Sequence, residues 1–295
     1  MKYAFYPGCV SRGGTPELYT STMAIAGELG LELEEIHGAS CTGAGVLQEK
    51  GQKLGDTLNA RTFAMAERMG LTTILNICST CQGVMAQANH RLLADPDYLA
   101  DVNRELRYEG LEYTGRVVIK HLAWVIVEEV GLDAFKNLVR NPLRELKVAP
   151  FYGCYILRPS WALGLDENPG REQYLEQLIE ACGAEPVNFP GRTKCCGFPI
   201  MLINERNSMR MVANHTTSAR EHGADTMVTP CPLCHLNLDG QQPKAAAQRG
   251  EKINMPILHL PQMIGLAMGL SPKQLGMGQH IISTKPLLEK ASVHA

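Results

Sequence analysis

The chain alternates short apolar, β-prone runs with longer amphipathic stretches from its first residues onward. "KYAFYP" reads as a strand, "PELYTSTMAIAGELG" as an amphipathic helix closed by Gly30, and "LELEEI" as a second strand. "LGDTLNARTFAMAERMG" predicts a helix ending at Gly70, and "TTILNI" a strand running into the pair Cys78 and Cys81. The second half follows the same course. It has a strand in "KVAPFY", a helix in "REQYLEQLIEACG", a strand in "EPVNF", a helix in "NSMRMVANHTTSAREHG" and a strand in "DTMVTP". Strands separated by helices predict an α/β fold, with a small, mainly parallel sheet flanked by helices in each half.

The cysteines repeat with the same rhythm. Cys9, Cys41, Cys78 and Cys81 in the first half answer Cys154, Cys195, Cys231 and Cys234 in the second, at offsets of 145, 154, 153 and 153 positions. The contexts repeat as well: "FYPGC" with "FYGC", "MGLTTILNIC" with "HGADTMVTPC", and "VIKHLAWVI" with "PILHLPQMI". This period is too long for a solenoid and predicts two tandem, duplicated domains. We place them at 1–145 and 146–270, followed by a C-terminal tail, 271–295. The cysteines then fall just after strands, at the sheet edge where α/β folds put their ligands.

Composition narrows the function classes. Apolar residues make up 45% and charged residues 20%, ordinary for a globular protein, and 28 basic against 30 acidic residues leave a formal charge of −2. No strong field of either sign points to nucleic acid or an anionic membrane. The apolar runs 117–132 and 255–270 are too short to span a bilayer, so no direct membrane span is expected. The start, "MKYAFYPGCVSRGG", lacks the apolar run of a signal peptide, and the expected location is cytoplasmic, with membrane association through partners left open. In a reducing compartment ten cysteines are better read as metal ligands or redox groups than as disulfides.

A Cys-x-x-Cys pair lets two thiolates reach one metal from a single turn, and a following helix adds its N-terminal dipole. "QGVMAQANHRLLAD" and "HLNLDG" can supply such helices. One such pair alone fits zinc, a thioredoxin-like site or an iron–sulfur cluster. Two further cysteines upstream of each pair speak against the thioredoxin-like use. Adjacent Cys195 and Cys196 are poor disulfide partners for each other. The five thiolates of the second half exceed the four that tetrahedral zinc takes, which favours an iron–sulfur cluster.

With its pattern of a cysteine, a Cys-Cys-Gly and a Cys-x-x-Cys given twice, the chain resembles the B-subunit family of heterodisulfide reductase, with its tandem cysteine-rich CCG domains. The resemblance runs from Tyr3 to about Leu270. It implies a non-cubane [4Fe–4S] cluster on each complete five-cysteine motif, with substrate sulfur binding a cluster iron and a disulfide cleaved between the two clusters. Cys154, Cys195, Cys196, Cys231 and Cys234 carry every position of that motif, and Cys195 and Cys196 would ligate at the substrate site, one of them bridging. The first motif departs, because Thr42 stands where the family has the second cysteine of Cys-Cys-Gly. Cys9, Cys41, Cys78 and Cys81 remain, a set that suits an ordinary cubane cluster or zinc.

The resemblance further implies two partners of heterodisulfide reductase type, the iron–sulfur C-subunit and the flavoprotein A-subunit. It also implies a thiol/disulfide substrate or, in the complex of sulfur oxidisers, sulfane sulfur on a lipoate-binding carrier protein. The function expected is that of an iron–sulfur redox subunit in a heterodisulfide reductase-like complex, an oxidoreductase acting on sulfur groups. The altered first motif tilts the reading towards the sulfur-oxidising setting. The alternative is a non-catalytic electron-relay or assembly subunit, since relatives of the family anchor succinate dehydrogenases.

Several residues have plainer readings beside these. Cys182, one position before Gly183, reads as a packed core thiol. His121 and His259 share an "HL" context that duplication of a structural residue explains as well as proton donation does. His235, next to Cys234, could hydrogen-bond towards the metal site or face solvent, and Lys194 reads as a surface charge.

Overall fold

In a computed structural model, which describes residues 1–291, the expected strands pair into two separate sheets. β1 (Lys2–Tyr6), β2 (Glu32–Glu35), β3 (Thr73–Asn76) and β4 (Val118–His121) form the first, in the order β2-β1-β3-β4. β5 (Lys147–Pro150), β6 (Glu185–Pro186), β7 (Thr226–Thr229) and β8 (Ile257–His259) form the second, in the equivalent order β6-β5-β7-β8. Every pairing is parallel. The central strands are buried on both faces, as parallel sheets require: Ala4, Phe5, Ile74 and Leu75 in one sheet and Val148, Ala149, Met227 and Val228 in the other have no exposed surface. The edge strand β2, "ELEE", alternates exposed and half-buried residues instead.

Three elements differ from the reading of the sequence. β4 and β8 were not legible as strands, because "VIKHLAWVI" and "PILHLPQMI" pass from strand into buried helix without a break in hydrophobicity. Periodicity cannot divide such a run. The strand expected over "EPVNF" shrinks to Glu185–Pro186, since Pro186 has no N–H to add to the ladder.

The halves share one interior. Tyr3, Phe5 and Leu18 belong to the same buried cluster as Val148, Leu258 and Met263. Gly83, on the helix Ser79–Ala94, meets the Tyr155 backbone so closely that a Cβ there would lie 2.4 Å from the Tyr155 carbonyl oxygen. The segment after residue 270 is folded onto this body as far as residue 291, with Leu275 and Leu287 buried and the Asp239 carboxylate accepting from the Ile281 and Ile282 amides. Positions 292–295 of the expected tail lie outside the described residues.

Candidate metal centres

In both sheets the strand order reverses between the two central strands. Their C-terminal ends flank the crevice where open α/β sheets bind ligands. Cys9 follows β1 and Cys78 follows β3; Cys154 follows β5 and Cys231 follows β7. Cys78 and Cys231 are the N-caps of the helices Ser79–Ala94 and Pro232–Leu238, so Cys81 and Cys234 sit in the first turns. Backbone N–H groups thus point at the sulfurs: the Cys81 amide donates to Cys78 Sγ at 3.4 Å.

Cys41 and Cys195 occupy matching tight turns. The Gly43 amide donates to Cys41 Sγ at 3.5 Å and the Gly197 amide to Cys195 Sγ at 3.4 Å. Both glycines have left-handed φ, 76° and 94°, the conformation that aims this N–H back at the sulfur two residues earlier. Outer contacts fix the second turn: His215 Nε2 lies 2.9 Å from the Cys195 carbonyl oxygen, and Asn237 Nδ2 donates to the Cys196 carbonyl at 2.8 Å.

The five second-half sulfurs lie in one group: Cys154 lies beside Cys195, Cys196 beside both Cys195 and Cys234, and Cys234 beside Cys231. In the first half Cys9 and Cys41 lie 3.9 Å apart, and Cys78 neighbours Cys81. Thr42 is buried, with its hydroxyl 3.9 Å from Cys81 Sγ, where Cys196 contacts Cys234 in the other half. It offers a hydroxyl proton to the sulfur and no thiolate of its own.

Thiolate character is spread over both groups. The hydrogen bond from Cys9, aided by Gly43 N–H, pulls the Cys41 thiol down to about 6 against the effect of burial. Contacts from Cys154 and Cys196 hold Cys195 far below the ordinary thiol range. Burial opposes ionisation of Cys231, yet contacts from Cys234, Cys78 and Thr80 keep it low. A donor set of close sulfurs, one deprotonated in each group or more, is the chemistry of soft-metal and iron–sulfur sites.

The space around the sulfurs has the same form. Gly153, at φ 73°, is so close to Cys234 that a Cβ would lie 2.9 Å from its Sγ; Gly8, at φ 79°, would bring a Cβ to 3.5 Å from Cys81 Sγ. The Tyr6 hydroxyl donates to the Ser40 carbonyl at 2.8 Å and is kept neutral by burial and by the charge of the first-half cysteines. The sulfurs present in the second half fit an iron–sulfur cluster. Those of the first fit either a four-thiolate cluster or zinc.

The two groups are neighbours: Ser79 and Thr80 of the first loop bond Pro230 and Cys231 of the second, and Cys78 lies beside Cys231 across the halves. Beside them opens a cleft of about 530 Å³, lined by Gly45, Gln48, Glu49 and Gln87 from the first half and Tyr155, Arg158 and Pro159 from the second. A smaller hollow of about 330 Å³ reaches Cys195 from outside, past Lys194, Met211 and His215.

The remaining histidines and Cys182 sort differently. Cys182 is fully buried in the apolar core, and burial alone raises its pKa. His121 holds the chain before the other half's cysteine pair, with Nε2 at 3.0 Å from the Pro230 carbonyl oxygen and Nδ1 accepting from Ala123 N–H. His259 has Pro261 at the position of Ala123, and proline has no N–H, which leaves its Nδ1 without a partner. Its Nε2 lies 3.2 Å from Glu17 Oε1 instead. His235 does not face solvent: it is 3% exposed and reaches the Ile257 carbonyl and His280, and neither of its ring nitrogens bonds a cysteine sulfur. The His235 and His259 rings stack with centroids 3.8 Å apart and 22° between planes. One ion cannot lie in both ring planes of such a stack, so Glu17, His235 and His259 form a packed polar cluster. No resemblance or spacing announced this cluster or the cross-half role of His121; the one hint was the repeated "HL".

Two parallel-sheet units that each deliver cysteines from the ends of their central strands and from a tight Cys-x-Gly turn define a tandem thiolate-site protein. The pattern of the cysteine-rich CCG domain matches residues 3–86 and 148–239, and the chain belongs to the tandem CCG family of heterodisulfide reductase B-subunits. It is 37% identical over 97% of its length, and 99% of the relative's, to the 8-methylmenaquinol:fumarate reductase membrane anchor subunit of Wolinella succinogenes. It is 32% identical over 98% of its length, and 96% of the relative's, to the B-subunit of the ferredoxin/F420H2-dependent CoB-CoM heterodisulfide reductase of Methanosarcina acetivorans. Among solved structures, a hypothetical protein from Helicobacter pylori superposes with a TM-score of 0.76 at 16% identity, over 96% of this chain and 52% of that one, a likeness of fold alone. Among the described residues no helix is long and apolar enough to cross a membrane.

Proposed function

We propose that the chain is an iron–sulfur redox subunit of a multi-subunit oxidoreductase. In this reading Cys154, Cys195, Cys196, Cys231 and Cys234 hold a [4Fe–4S] cluster of the non-cubane type, and Cys9, Cys41, Cys78 and Cys81 hold an ordinary cubane cluster or zinc. The observation that carries it is the continuous group of five second-half sulfurs, one more than a tetrahedral ion takes. When bound, the cluster supplies one-electron storage. The protein's own residues supply the rest. Gly197 N–H, together with the His215 and Asn237 contacts to the backbone, holds the Cys195–Cys196 turn in place. Gly153 leaves room for Cys234.

The substrate in this reading is a thiol/disulfide or sulfane-sulfur compound entering the cleft between the halves, where Arg158 and Glu49 set opposite charges and the Tyr155 hydroxyl donates to Gln48 across the opening. Reductive cleavage consumes two electrons and two protons and breaks one S–S bond into two thiols. The electrons come from a flavoprotein partner of the A type through an iron–sulfur partner of the C type, in a cytoplasmic complex. A second reading, a relay or assembly subunit without its own sulfur substrate, is favoured by Thr42 and by the 37% identity to the membrane anchor of a fumarate reductase.

The two readings separate on one experiment. Protein purified without oxygen is reduced and then mixed with small disulfides, and cluster reoxidation is followed with thiol release. Two thiols released per two electrons lost support the sulfur-reducing reading. Reoxidation by a flavoprotein partner but by no disulfide or sulfane-sulfur compound selects the relay.

A further inference from the structure

The facing cysteine loops of the two halves are alike in spacing but not in the residues between the cysteines. The first loop reads Cys78-Ser79-Thr80-Cys81 and the second Cys231-Pro232-Leu233-Cys234. Ser79 donates from both its amide, at 3.2 Å, and its hydroxyl, at 3.1 Å, to the Pro230 carbonyl, which His121 also reaches. The Thr80 hydroxyl, buried at the same seam, lies 3.4 Å from Cys231 Sγ. The side chains between the second pair of cysteines return no hydrogen bond, because Pro232 has neither an N–H nor a hydroxyl and Leu233 has no polar side-chain atom. Among the described residues Thr80 is the one hydroxyl within hydrogen-bond distance of a second-half cysteine sulfur.

We infer that Thr80 is a positioning and tuning residue for the cluster of the other half, raising its reduction potential through a hydrogen bond to Cys231, with Ser79 and His121 fixing the loop that makes the contact. This rests on the reading of the second half as an iron–sulfur site. The physical reason is charge. Reduction adds an electron to the cluster and its thiolates, and a hydroxyl donated to a ligand sulfur stabilises the more negative state. The reduced form therefore gains more from Thr80 than the oxidised form does. The first half thus acts on the second whatever metal the first half itself carries.

The test is a redox titration of the second-half signal, identified by its disappearance in Cys154→Ser, in wild-type protein and in Thr80→Val, Thr80→Ala and Thr80→Ser. Removing the hydroxyl in Val or Ala is expected to make reduction about tenfold less favourable, a drop of about 59 mV for a one-electron couple. Thr80→Ser keeps the hydroxyl and is expected at the wild-type potential, and iron per chain is expected unchanged in all three. Unshifted potentials in the Val and Ala variants with full iron overturn the inference, as does a Ser variant that shifts as far as Val. Loss of iron in both Val and Ala assigns Thr80 to cluster assembly and also overturns tuning. A wild-type protein without second-half iron sinks the iron–sulfur reading itself and this inference with it, and is told apart by the metal content alone.

Discussion

Gly153 offers a test of whether the second group of sulfurs is built to hold a cluster. It adopts φ 73°, and an alanine Cβ would stand 2.9 Å from Cys234 Sγ. The left-handed backbone alone costs an L-residue roughly 1–2 kcal/mol. Ordinary non-bonded contact begins at about 3.5–4.0 Å, so the sulfur or the loop would have to yield by roughly 0.6–1 Å. Metal–ligand distances stay within about 0.2 Å of their usual values, a much narrower margin. Gly153→Ala is therefore expected to lose the second-half iron. Gly8→Ala is its control: φ is 79°, but the added Cβ meets Cys81 Sγ at 3.5 Å, an ordinary contact. That variant is expected to bear the backbone cost and keep its metal. Iron per chain and Tm, measured side by side on anaerobically purified variants, decide the matter. Equal iron retention in the two variants would refute the reasoning.

Stability should fall in mild acid. Burial pushes His121 and His280 down to about 4, so they stay neutral in the fold while their unfolded counterparts protonate near 6.5. Their contribution is whole above about pH 6.5 and is lost as pH falls towards 4, at about 2 kcal/mol per histidine by pH 5. His235 and His259, also pushed down by burial, add the same sign. Burial pushes Asp239 up to about 6 and raises Glu17 as well, and these two carboxyls work in the opposite direction but are outnumbered by the four histidines; a Tm no lower at pH 5 than at pH 7 would contradict this balance. Cys182→Ser places an unpartnered hydroxyl in the apolar core and is expected to cost about 1–3 kcal/mol in denaturant unfolding, with iron per chain unchanged. Gly83→Ala drives a Cβ against the Tyr155 carbonyl and is expected to part the halves, costing about 1–3 kcal/mol and speeding the loss of cluster absorbance in air.

Much of this was legible in the sequence because duplication doubles each signal. Strand-to-cysteine junctions at Cys9, Cys78, Cys154 and Cys231 recur with constant spacing, and the α/β alternation follows from short apolar runs between amphipathic ones. β4 and β8 escaped because hydrophobicity is continuous from strand into helix at His121 and His259. The seam between the halves escaped for a different reason: the contacts of Ser79 and Thr80 with Pro230 and Cys231 join residues 151 positions apart, and no local pattern encodes them. The same holds for Glu17 and His259, which are 242 positions apart. Only the asymmetry of "CSTC" against "CPLC" could have marked the seam, and its meaning appears once the loops face each other.

The central claim is that the second half carries an iron–sulfur cluster on five cysteines. Iron, acid-labile sulfide and zinc per chain, on protein made with cluster-assembly machinery and purified without oxygen, test it most directly when Cys78→Ser and Cys195→Ser are measured beside the wild type. The account predicts about four irons that survive Cys78→Ser and are lost in Cys195→Ser, with either about four more irons or one zinc in the wild-type first half. A wild-type chain without iron, or iron that Cys195→Ser leaves in place, would contradict it.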